Sequence, residues 1–322
     1  MNPPVVALVG PTASGKSALA LAVAEATGGG DRWGPVELCS VDSMAVYRGM
    51  DIGTAKPPAA VRARVPYHLI DLVDASETFT VQQFQSAART ALAGVAARGH
   101  RALLVGGTGL YLRSVVDDLE FPGRFPSVAD RLRAELEAAG APGGPGEAAA
   151  LEDLHARLAA SDPVAAARIG PANRRRLVRA LEVTEGSGRP FSSFGPGLES
   201  YPPSRVVLVG VRPDPAETDR RIAERVDAMM AAGLLDEVAR LATAPGGLSP
   251  TARQALGYRE LLAHLEDGLP LERTVEETVR RTRAFARRQW AWFRRDPRIV
   301  WVRDGEDPVA RIVGLLAEPV RD

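Results

Sequence analysis

The residues most able to do chemistry stand near the start of the chain, in the run GPTASGKS that follows the apolar stretch Val5 to Val9. A strand, a glycine-rich loop and a helix-forming run in that order match the P-loop pattern, whose backbone N–H groups converge on a phosphate. Lys16 adds a positive point charge, and Ser17 offers a hydroxyl to Mg²⁺. The sequence therefore predicts a diphosphate cradle formed by Gly10, Pro11, Thr12, Ala13, Ser14, Gly15, Lys16 and Ser17.

A P-loop identifies a diphosphate but not the group attached to it, so the donor must be identified from other residues. A P-loop nucleotide hydrolase usually places a carboxylate at the end of a second strand, where it organises Mg²⁺ and water. The run ALLVGG ends without a carboxylate and continues into Thr108. Asp42, at the end of VELCSVD, is the better candidate for that carboxylate. On residue types alone, Asp42 is equally suited to capping a turn, and Thr108 to bonding the backbone after the glycines.

A second source of positive charge lies in the run RRIAERV. Arg221 and Arg225 are four residues apart, so they share one face of a helix. That face suits the bracing of phosphates and, equally, ion pairs with Glu217 and Glu224. The spacing leaves the role of each arginine open.

The elements that would position these residues alternate between strand and helix patterns. Helical spacing occurs at Ala18 to Ala26, Val81 to Ala97 and Thr218 to Ala232. This alternation predicts an α/β fold with a P-loop NTPase-like parallel sheet flanked by helices. Apolar runs rich in β-branched residues predict five buried strands at Val5 to Val9, Val36 to Val41, Leu103 to Val105, Val206 to Val211 and Ile299 to Val302.

Strand patterns stop between about Gly123 and Glu185, where helical runs such as DRLRAELEAAG and PANRRRLVRALEV flank the breaker APGGPG. A segment rich in Gly, Pro and Ser then leads back to the strand at Val206. We therefore expect an all-helical insertion at 123–195 within a P-loop core formed by 1–122 and 196–322. A chain of 322 residues with 45% hydrophobic content can bury one core and carry such a satellite.

Composition restricts the compartment and the partners. Forty basic and forty acidic residues cancel, so no global field attracts the protein to polyanions or membranes. The single cysteine, Cys39, lies in an apolar run, which excludes an internal disulfide and predicts a buried strand residue. No stretch approaches bilayer length and the start lacks a signal-peptide pattern, so we expect a cytoplasmic protein without membrane contact. Only Lys16 and Lys56 are lysines among the basic residues, which favours a special role for a retained ammonium group.

Positive charge is concentrated locally in two segments. The segment from Arg168 to Arg189 contains six arginines and two acidic residues. The segment from Arg273 to Arg298 contains nine arginines and three acidic residues. The second segment combines its arginines with Trp290, Trp292 and Phe293, a mixture that suits phosphate contacts on a helix anchored by aromatic residues. Solvated helix faces have the same composition, so the pattern alone leaves both interpretations open.

Several motifs are similar to those of the tRNA dimethylallyltransferase family of bacterial type, also called isopentenyl-tRNA transferases. These are the P-loop, VDSMAVYRGMDIGTAKP, HLIDLVD, LLVGGTGLY, DPVAAARIGPANRRRLVRALEV, QALGYREL and TRAFARRQWAWF, in the family's order along nearly the whole chain. The resemblance implies transfer of a dimethylallyl group from dimethylallyl diphosphate to the exocyclic amine of the adenosine just 3′ of the anticodon of a tRNA. It also implies Mg²⁺ as cofactor and a protein that we expect to be a monomer.

The resemblance assigns roles to individual residues. It implies that Asp42 is the general base, that Thr108 is a donor near the bridging oxygen of the leaving group, and that Lys16 and Arg221 brace the diphosphate. Arg225 is left without a role. The positions that resemble the family's tRNA contacts are Asp42, Ser43, Met44, Ala45, Thr108, Arg131, Arg175, Arg176, Leu177, Val178, Arg179, Gln254, Ala255, Leu256, Gly257, Tyr258 and Arg259.

Three other functions compete with this interpretation. A P-loop kinase would use ATP on a small metabolite, but the missing strand-end carboxylate argues against it. Prenyl transfer to a free adenine nucleotide would need neither the helical insertion nor two arginine-rich helices. A non-enzymatic RNA-binding or nucleotide-switch module would leave VDSMAVYRGMD unexplained.

Overall fold

The computed structural model describes residues 5–28, 34–195, 197–212, 214–303 and 305–318. The chain divides into two compact units, one formed by Met1–Asp118 with Pro202–Asp322 and the other by Leu119–Tyr201. No helix among the described residues combines the length and the apolar composition that a bilayer crossing requires.

The first unit is built on a six-stranded sheet in which every paired strand is parallel to its neighbour, in the order β3-β2-β4-β1-β5-β6. The strands are β1 (Val5–Val9), β2 (Val36–Val41), β3 (Tyr67–His68), β4 (Arg101–Gly106), β5 (Val206–Gly210) and β6 (Val300–Trp301). All five predicted strands are present, whereas β3 was not predicted because two residues make no apolar run. The α/β fold with a parallel sheet is confirmed.

The helices of both units follow the chain order. They are α1 (Lys16–Thr27), α2 (Ala59–Arg62), α3 (Val81–Ala97), α4 (Gly109–Val116), α5 (Pro126–Ala138), α6 (Pro145–Ser161), α7 (Pro163–Arg168), α8 (Arg174–Ser187), α9 (Pro215–Ala231), α10 (Leu234–Thr243), α11 (Tyr258–Asp267), α12 (Leu271–Phe293) and α13 (Pro308–Ala317). Short 3₁₀ turns occur at Phe191–Ser193 and Ala252–Gln254.

Helices cover both faces of the sheet because successive strand side chains point to opposite faces. Ala7 and Val9 of β1 join a core with side chains of α3, α4, α10 and α11. Val6 and Leu8 join a second core with side chains of α1 and α13. Burial on both sides explains why the strands are continuous apolar runs rather than alternating ones. Cys39 is fully buried in β2, as predicted, and burial raises the pKa of its thiol to about 12.

The second unit contains α5 to α8, which pack around their own apolar core. Leu132 and Leu136 of α5 and Leu154 and Leu158 of α6 supply much of that core. Caps fix where two of these helices begin. Asp162 accepts a hydrogen bond from the backbone N–H of Ala165, and Asn173 accepts one from that of Arg176.

Candidate active site

Three loops leave the sheet at its carboxyl edge, where ligands of α/β proteins usually bind. Strands β2, β4 and β1 are neighbours and run parallel, so the segments that follow them emerge side by side. The P-loop follows β1, Asp42 follows β2, and Gly107 with Thr108 follows β4. The topology therefore brings together the residues that the sequence singled out.

The P-loop has the backbone shape needed to hold an anion. Gly15 has a φ of 86° and Ala13 a φ of 60°, which turn the chain into α1 at Lys16. The first N–H groups of a helix lack intrahelical partners and point outward at its start. Ser14 Oγ is buried without a hydrogen-bond partner in the described part of the chain. These groups fit the oxygens of a diphosphate.

Lys16 is held inside the loop. Its Nζ donates a 2.9 Å hydrogen bond to the carbonyl of Pro11. Burial lowers the pKa of Lys16 to about 8, and the positive charge of Arg225 acts in the same direction while the carboxylate of Asp42 opposes it. Its charge is therefore poorly solvated until an anion enters, which favours binding of a diphosphate.

Hydrogen bonds connect the loop that begins at Asp42 with the side chain of Thr108. The Oδ1 of Asp42 accepts hydrogen bonds from the backbone N–H of Met44 at 2.8 Å and of Ala45 at 3.4 Å. The backbone N–H of Ser43 donates to Oγ1 of Thr108 at 3.2 Å. The carboxylate and the hydroxyl thus stand on adjacent, mutually bonded loops. Asp42 thus caps a turn and Thr108 accepts a backbone hydrogen bond, while the chemical roles of both residues stay predictions.

Arg225 contacts the hydroxyl of Thr12 in the P-loop. Its Nη1 approaches Oγ1 of Thr12 at 3.5 Å. Burial lowers its pKa, against the raising effect of the Asp42 carboxylate. Arg225 was assigned no role from the sequence, because the spacing places it on the same helix face as Arg221.

Arg221 lies at the outer side of the loop. Its Nε pairs with Glu217 at 2.7 Å, and its side chain is 47% exposed. A Cβ placed on Gly15 would lie 3.8 Å from its Nη1, so the guanidinium stands beside the P-loop. Its phosphate-bracing role stays a prediction.

Gln289 of α12 was not predicted as a site residue, although it lies inside the motif TRAFARRQWAWF. Its Oε1 accepts a 2.8 Å hydrogen bond from the backbone N–H of Thr12, and its Nε2 donates a 2.8 Å bond to the carbonyl of Gly107. One buried amide therefore ties the P-loop to the loop after β4. No local signal distinguishes such a residue, because its partners are distant in sequence.

The loop after β4 is pressed against α12. A Cβ on Gly107 would lie 2.3 Å from Nε2 of Gln289, and one on Gly109 would lie 2.2 Å from Nε1 of Trp292. A larger residue at either place would have to displace the side chain that it meets. Close packing on either side fixes the position of Thr108.

A cleft of about 550 Å³ opens in front of these loops. Its polar lining includes Thr12, Asp42, Thr108 and Arg225. Such a volume suits a small organic group together with part of a base. Its apolar lining comprises Met44, Ile222, Val226, Met229, Leu234, Ala255, Leu256, Ala284 and Phe285.

Comparisons with known proteins agree with this arrangement. Residues 45–296 match the family model described as IPP transferase. A curated tRNA dimethylallyltransferase of Nocardioides sp. is 47% identical over 315 residues, which cover 98% of this chain and 96% of that relative. This chain belongs to the tRNA dimethylallyltransferase family. The predicted family and the predicted enzyme class, a prenyltransferase, are confirmed.

Solved structures of tRNA dimethylallyltransferases and their relatives share the fold. The tRNA isopentenylpyrophosphate transferase of Bacillus halodurans has a TM-score of 0.66 at 34% identity, over 98% of this chain and 95% of that one. A eukaryotic dimethylallyltransferase acting on tRNA has a TM-score of 0.69 at 24% identity, over 94% of this chain and 74% of that one. The second likeness bears on the fold alone.

The residues of the first unit that resemble the family's tRNA contacts fall into two groups. The side chains of Ala45, Ala255 and Tyr258 are buried, although Ala255 also lines the cleft, and their contact with tRNA stays a prediction. The others face the cleft and remain predicted contacts. They are Asp42, Ser43, Met44, Thr108, Gln254, Leu256, Gly257 and Arg259.

The same division applies within the helical unit. Leu177 and Val178 are buried in its core, and their contact with tRNA stays a prediction. Arg175 and Arg176 on α8 are exposed. They remain predicted contacts with RNA phosphates.

Two further arginines of this unit already have partners. Arg131 pairs with Glu135 at 2.6 Å and also with Glu185. Arg179 pairs with Glu182 at 2.7 Å and donates to the carbonyl of Pro122 at 2.8 Å. Either arginine would have to exchange such a contact to bind RNA, and both stay predicted.

Ser17, the predicted Mg²⁺ ligand, is exposed in the first turn of α1. No group of three or more His, Cys, Asp or Glu suited to a metal occurs among the described residues. Mg²⁺ keeps several waters and takes much of its coordination from substrate phosphates, so one protein hydroxyl suits it as a ligand. Ser17, the last residue of the P-loop motif, stays the predicted ligand.

Proposed function

We propose that this enzyme transfers the dimethylallyl group of dimethylallyl diphosphate to the exocyclic amine of the adenosine 3′-adjacent to the anticodon of a tRNA, releasing diphosphate. The observation that carries the proposal is the cleft in which Thr12, Asp42, Thr108 and Arg225 surround one space with an apolar wall. It offers an anion site, a base and an apolar surface together. Family membership supplies the class of reaction.

We propose that the donor binds with its diphosphate at the P-loop and its five-carbon group in the cleft. Its diphosphate would bind the backbone of the P-loop and Lys16, with Ser17 as the protein ligand of Mg²⁺, which when bound neutralises charge on the phosphates. Its five-carbon group would contact the apolar wall, including Met44 and Phe285. Dimethylallyl diphosphate therefore satisfies both the charge and the apolar area of the cleft.

In the proposed step the adenine amine nitrogen attacks C1 of the dimethylallyl group. The C–N bond forms as the allylic C–O bond breaks, and the electron pair of that bond leaves with the diphosphate. The proton of the amine passes to the carboxylate of Asp42. An adenine amine is a weak nucleophile, and a positioned base gains about a hundred- to ten-thousandfold in such a step.

Negative charge develops on the leaving group as the C–O bond breaks. Lys16, Arg225, the loop N–H groups and the hydroxyl of Thr108 would stabilise that charge, with Arg221 beside Gly15. Donors fixed before the reaction stabilise the transition state more than the ground state. Gln289 helps by holding the two donor-bearing loops together.

The acceptor would be an adenosine in the anticodon loop of a tRNA. A single unpaired base leaves its stack at a cost of about a few kcal/mol, so its amine can enter a cleft. We propose that Gln254, Leu256 and Arg259 contact this nucleotide and that the insertion at 123–195 binds RNA through Arg175 and Arg176. The parts 1–122 and 196–322 would form the catalytic core. We further propose that the protein is a cytoplasmic monomer.

The assay is incubation of the full chain with Mg²⁺, dimethylallyl diphosphate and unmodified tRNA, followed by mass analysis of the nucleosides. A dimethylallyl group on the adenosine beside the anticodon is the expected product. ATP replaces the donor in one control, and free AMP replaces tRNA in another. Phosphoryl transfer from ATP, or prenylation of AMP at the rate seen with tRNA, would refute the proposal.

The tRNA contacts are tested by a paired charge reversal. Arg175→Glu with Arg176→Glu should weaken tRNA binding, because each lost phosphate contact reduces both the affinity and its salt dependence. Binding of the donor should be unchanged. Arg133→Glu, on the exposed face of α5 in the same unit, is the control. Equal effects of the two changes would remove α8 from the proposed RNA surface.

A further inference from the structure

Glu237 is a buried carboxylate that has no place in the step described above. It lies in the first turn of α10, is 6% exposed, and is not among the residues that line the cleft. Its Oε2 accepts hydrogen bonds from the backbone N–H groups of Asp51 at 3.0 Å and Ile52 at 2.9 Å. Its Oε1 accepts from the N–H of Gly53 at 3.1 Å.

A fourth donor comes from a different segment. The hydroxyl of Tyr258, at the start of α11, donates to Oε1 of Glu237 at 2.5 Å. The ring of Tyr258 also covers Gly53 so closely that a Cβ there would lie 2.4 Å from Cε2. Glu237 thus joins two segments that are far apart in sequence, 51–53 and Tyr258.

Both joined segments supply walls of the cleft. Gly53 and Thr54 are among its lining residues, and so are Gln254 to Gly257 with Arg259. The buried Tyr258 lies within the second group. The carboxylate therefore connects two segments that both line the cleft.

The chemistry of the cluster requires a carboxylate. Four donors converge on two oxygens, and an ionised carboxylate offers about four acceptor sites and no donor. An amide in its place would direct its NH₂ group at backbone N–H groups, leaving buried donors without an acceptor. Hydrogen bonds to charged groups are among the stronger ones in proteins.

We propose that Glu237 is a positioning residue that sets the shape of the acceptor side of the cleft by fixing 51–53 and Tyr258 together. The inference rests on the proposed function, since it assigns that side to the tRNA nucleotide. The donor side is held independently by Gln289 and the P-loop. Loss of Glu237 should therefore impair the use of tRNA and spare the use of the donor.

The test compares Glu237→Gln with Asp236→Asn in the full-length enzyme. Asp236 lies one residue away in the same helical turn, is exposed, and loses the same charge. We expect Glu237→Gln to raise the KM for tRNA by roughly tenfold to a hundredfold, because unsatisfied buried donors have that effect, while the KM for dimethylallyl diphosphate changes by less than about twofold. Asp236→Asn should match the unsubstituted enzyme. Parallel rises in both KM values, or an equal effect of Asp236→Asn, would overturn the proposal.

A second variant covers the case in which Glu237→Gln does not fold. Tyr258→Phe removes only the hydroxyl donor and should raise the KM for tRNA by a smaller factor, again without changing the KM for the donor. An unchanged KM for tRNA in Tyr258→Phe would count against the proposal. The two substitutions should not act independently, since residues in one hydrogen-bonded network are expected to couple. If their effects on the KM for tRNA simply add in the double variant Glu237→Gln with Tyr258→Phe, that result would also count against the proposal.

Hydrogen exchange separates this inference from the proposed function. The amides of 51–53 should be protected in the unsubstituted enzyme and should exchange faster in Glu237→Gln than in Asp236→Asn. If these exchange results are obtained but tRNA is not prenylated, the proposed function is refuted and the positioning role of Glu237 stands. If the enzyme prenylates tRNA but the amides of 51–53 are unprotected, only the positioning role of Glu237 is refuted.

Discussion

The side-chain amide of Gln289 bonds to two loops at once, accepting from the N–H of Thr12 and donating to the carbonyl of Gly107, each at 2.8 Å. Neither bond can be made by an apolar side chain of similar size. We expect Gln289→Met to raise the KM for dimethylallyl diphosphate about tenfold, since buried polar groups of both loops lose their partner. Donor titration at saturating tRNA measures the effect.

The variant Gln289→Glu separates shape from hydrogen bonding at this position. Its carboxylate still accepts from Thr12 but cannot donate to Gly107, and it adds negative charge near the diphosphate site. The KM for the donor should then exceed that of Gln289→Met. Normal kinetics in both variants would show that the link between the loops is dispensable.

Removal of the proposed base should slow the chemical step. Asp42→Asn retains an oxygen that can accept from the N–H of Met44, so the loop geometry survives while the base is lost. We expect kcat to fall at least about a hundredfold with little change in tRNA affinity. Single-turnover rates and filter binding measure the two quantities. Unaltered turnover would remove Asp42 from the mechanism.

The hydroxyl of Thr108 is tested by the pair Thr108→Ala and Thr108→Ser. Loss of one preorganised donor should reduce kcat by roughly a hundredfold. Serine keeps the hydroxyl and should restore most of the rate. If Thr108→Ser and Thr108→Ala reduce kcat equally, the packing of the threonine methyl group, and not the hydroxyl, determines the rate.

The pKa of Lys16 predicts a dependence of donor use on pH. Since its folded-state pKa is lowered from 10.5 to about 8, the ammonium loses its proton as pH rises through about 8. The kcat/KM for the donor should then fall, approaching about tenfold per pH unit above that value. Lys16→Arg keeps its charge and, even with lower activity, should not show this decline. A flat profile up to pH 9.5 would contradict the assignment.

Arg225 and Arg220 lie on the same helix but differ in surroundings. Arg225 reaches Thr12 in the cleft, whereas Arg220 is 58% exposed and pairs with Glu217 and Glu224. Arg225→Leu should lower kcat/KM for the donor by roughly a hundredfold, as expected for lost stabilisation of leaving-group charge. Arg220→Leu should have little effect. Similar losses in both variants would point to helix stability instead.

A buried carboxylate near the amino-terminal end of β2 should contribute to stability. Burial of Glu37 opposes ionisation, but hydrogen bonds from Arg98, His68 and His100 outweigh it and lower the pKa from 4.5 to about 2. Its stabilising effect is thus complete above about pH 4.5 and is lost as the pH falls toward 2. Glu37→Gln should lower the free energy of unfolding by about 3 kcal/mol at pH 7, as expected when one partner of a buried ion pair is removed.

Urea unfolding at several pH values checks this expectation. The difference between the unsubstituted protein and Glu37→Gln should shrink as the pH approaches 2. Glu25→Gln removes an exposed pair with Arg64 and should change stability by less than about 1 kcal/mol. A Glu37 effect that does not depend on pH would contradict the ion-pair explanation.

The sheet could be predicted because burial on both faces produces apolar runs. Residues Val5–Val9 and Val36–Val41 form strands with the predicted bounds. The strand at Tyr67–His68 left no such signal, because it has two half-buried residues. Parallel order then placed the predicted Asp42 and Thr108 on adjacent loops.

The parts of the site that escaped prediction depend on distant contacts. Spacing put Arg221 and Arg225 on one face, but only packing shows which of them reaches Thr12. A motif match spans consecutive residues, so it included Leu177 beside Arg176 although the first is buried and the second is exposed. Such distinctions arise from tertiary structure rather than from local pattern.

The separation of Thr12 and Gln289 by 277 residues has a consequence for synthesis of the chain. The P-loop leaves the ribosome first, and the amide that bonds it is synthesised 277 residues later. At about 5 to 20 residues per second, roughly a quarter of a minute to a minute passes between the two events. A nascent chain therefore cannot complete its diphosphate site until Gln289 has also emerged.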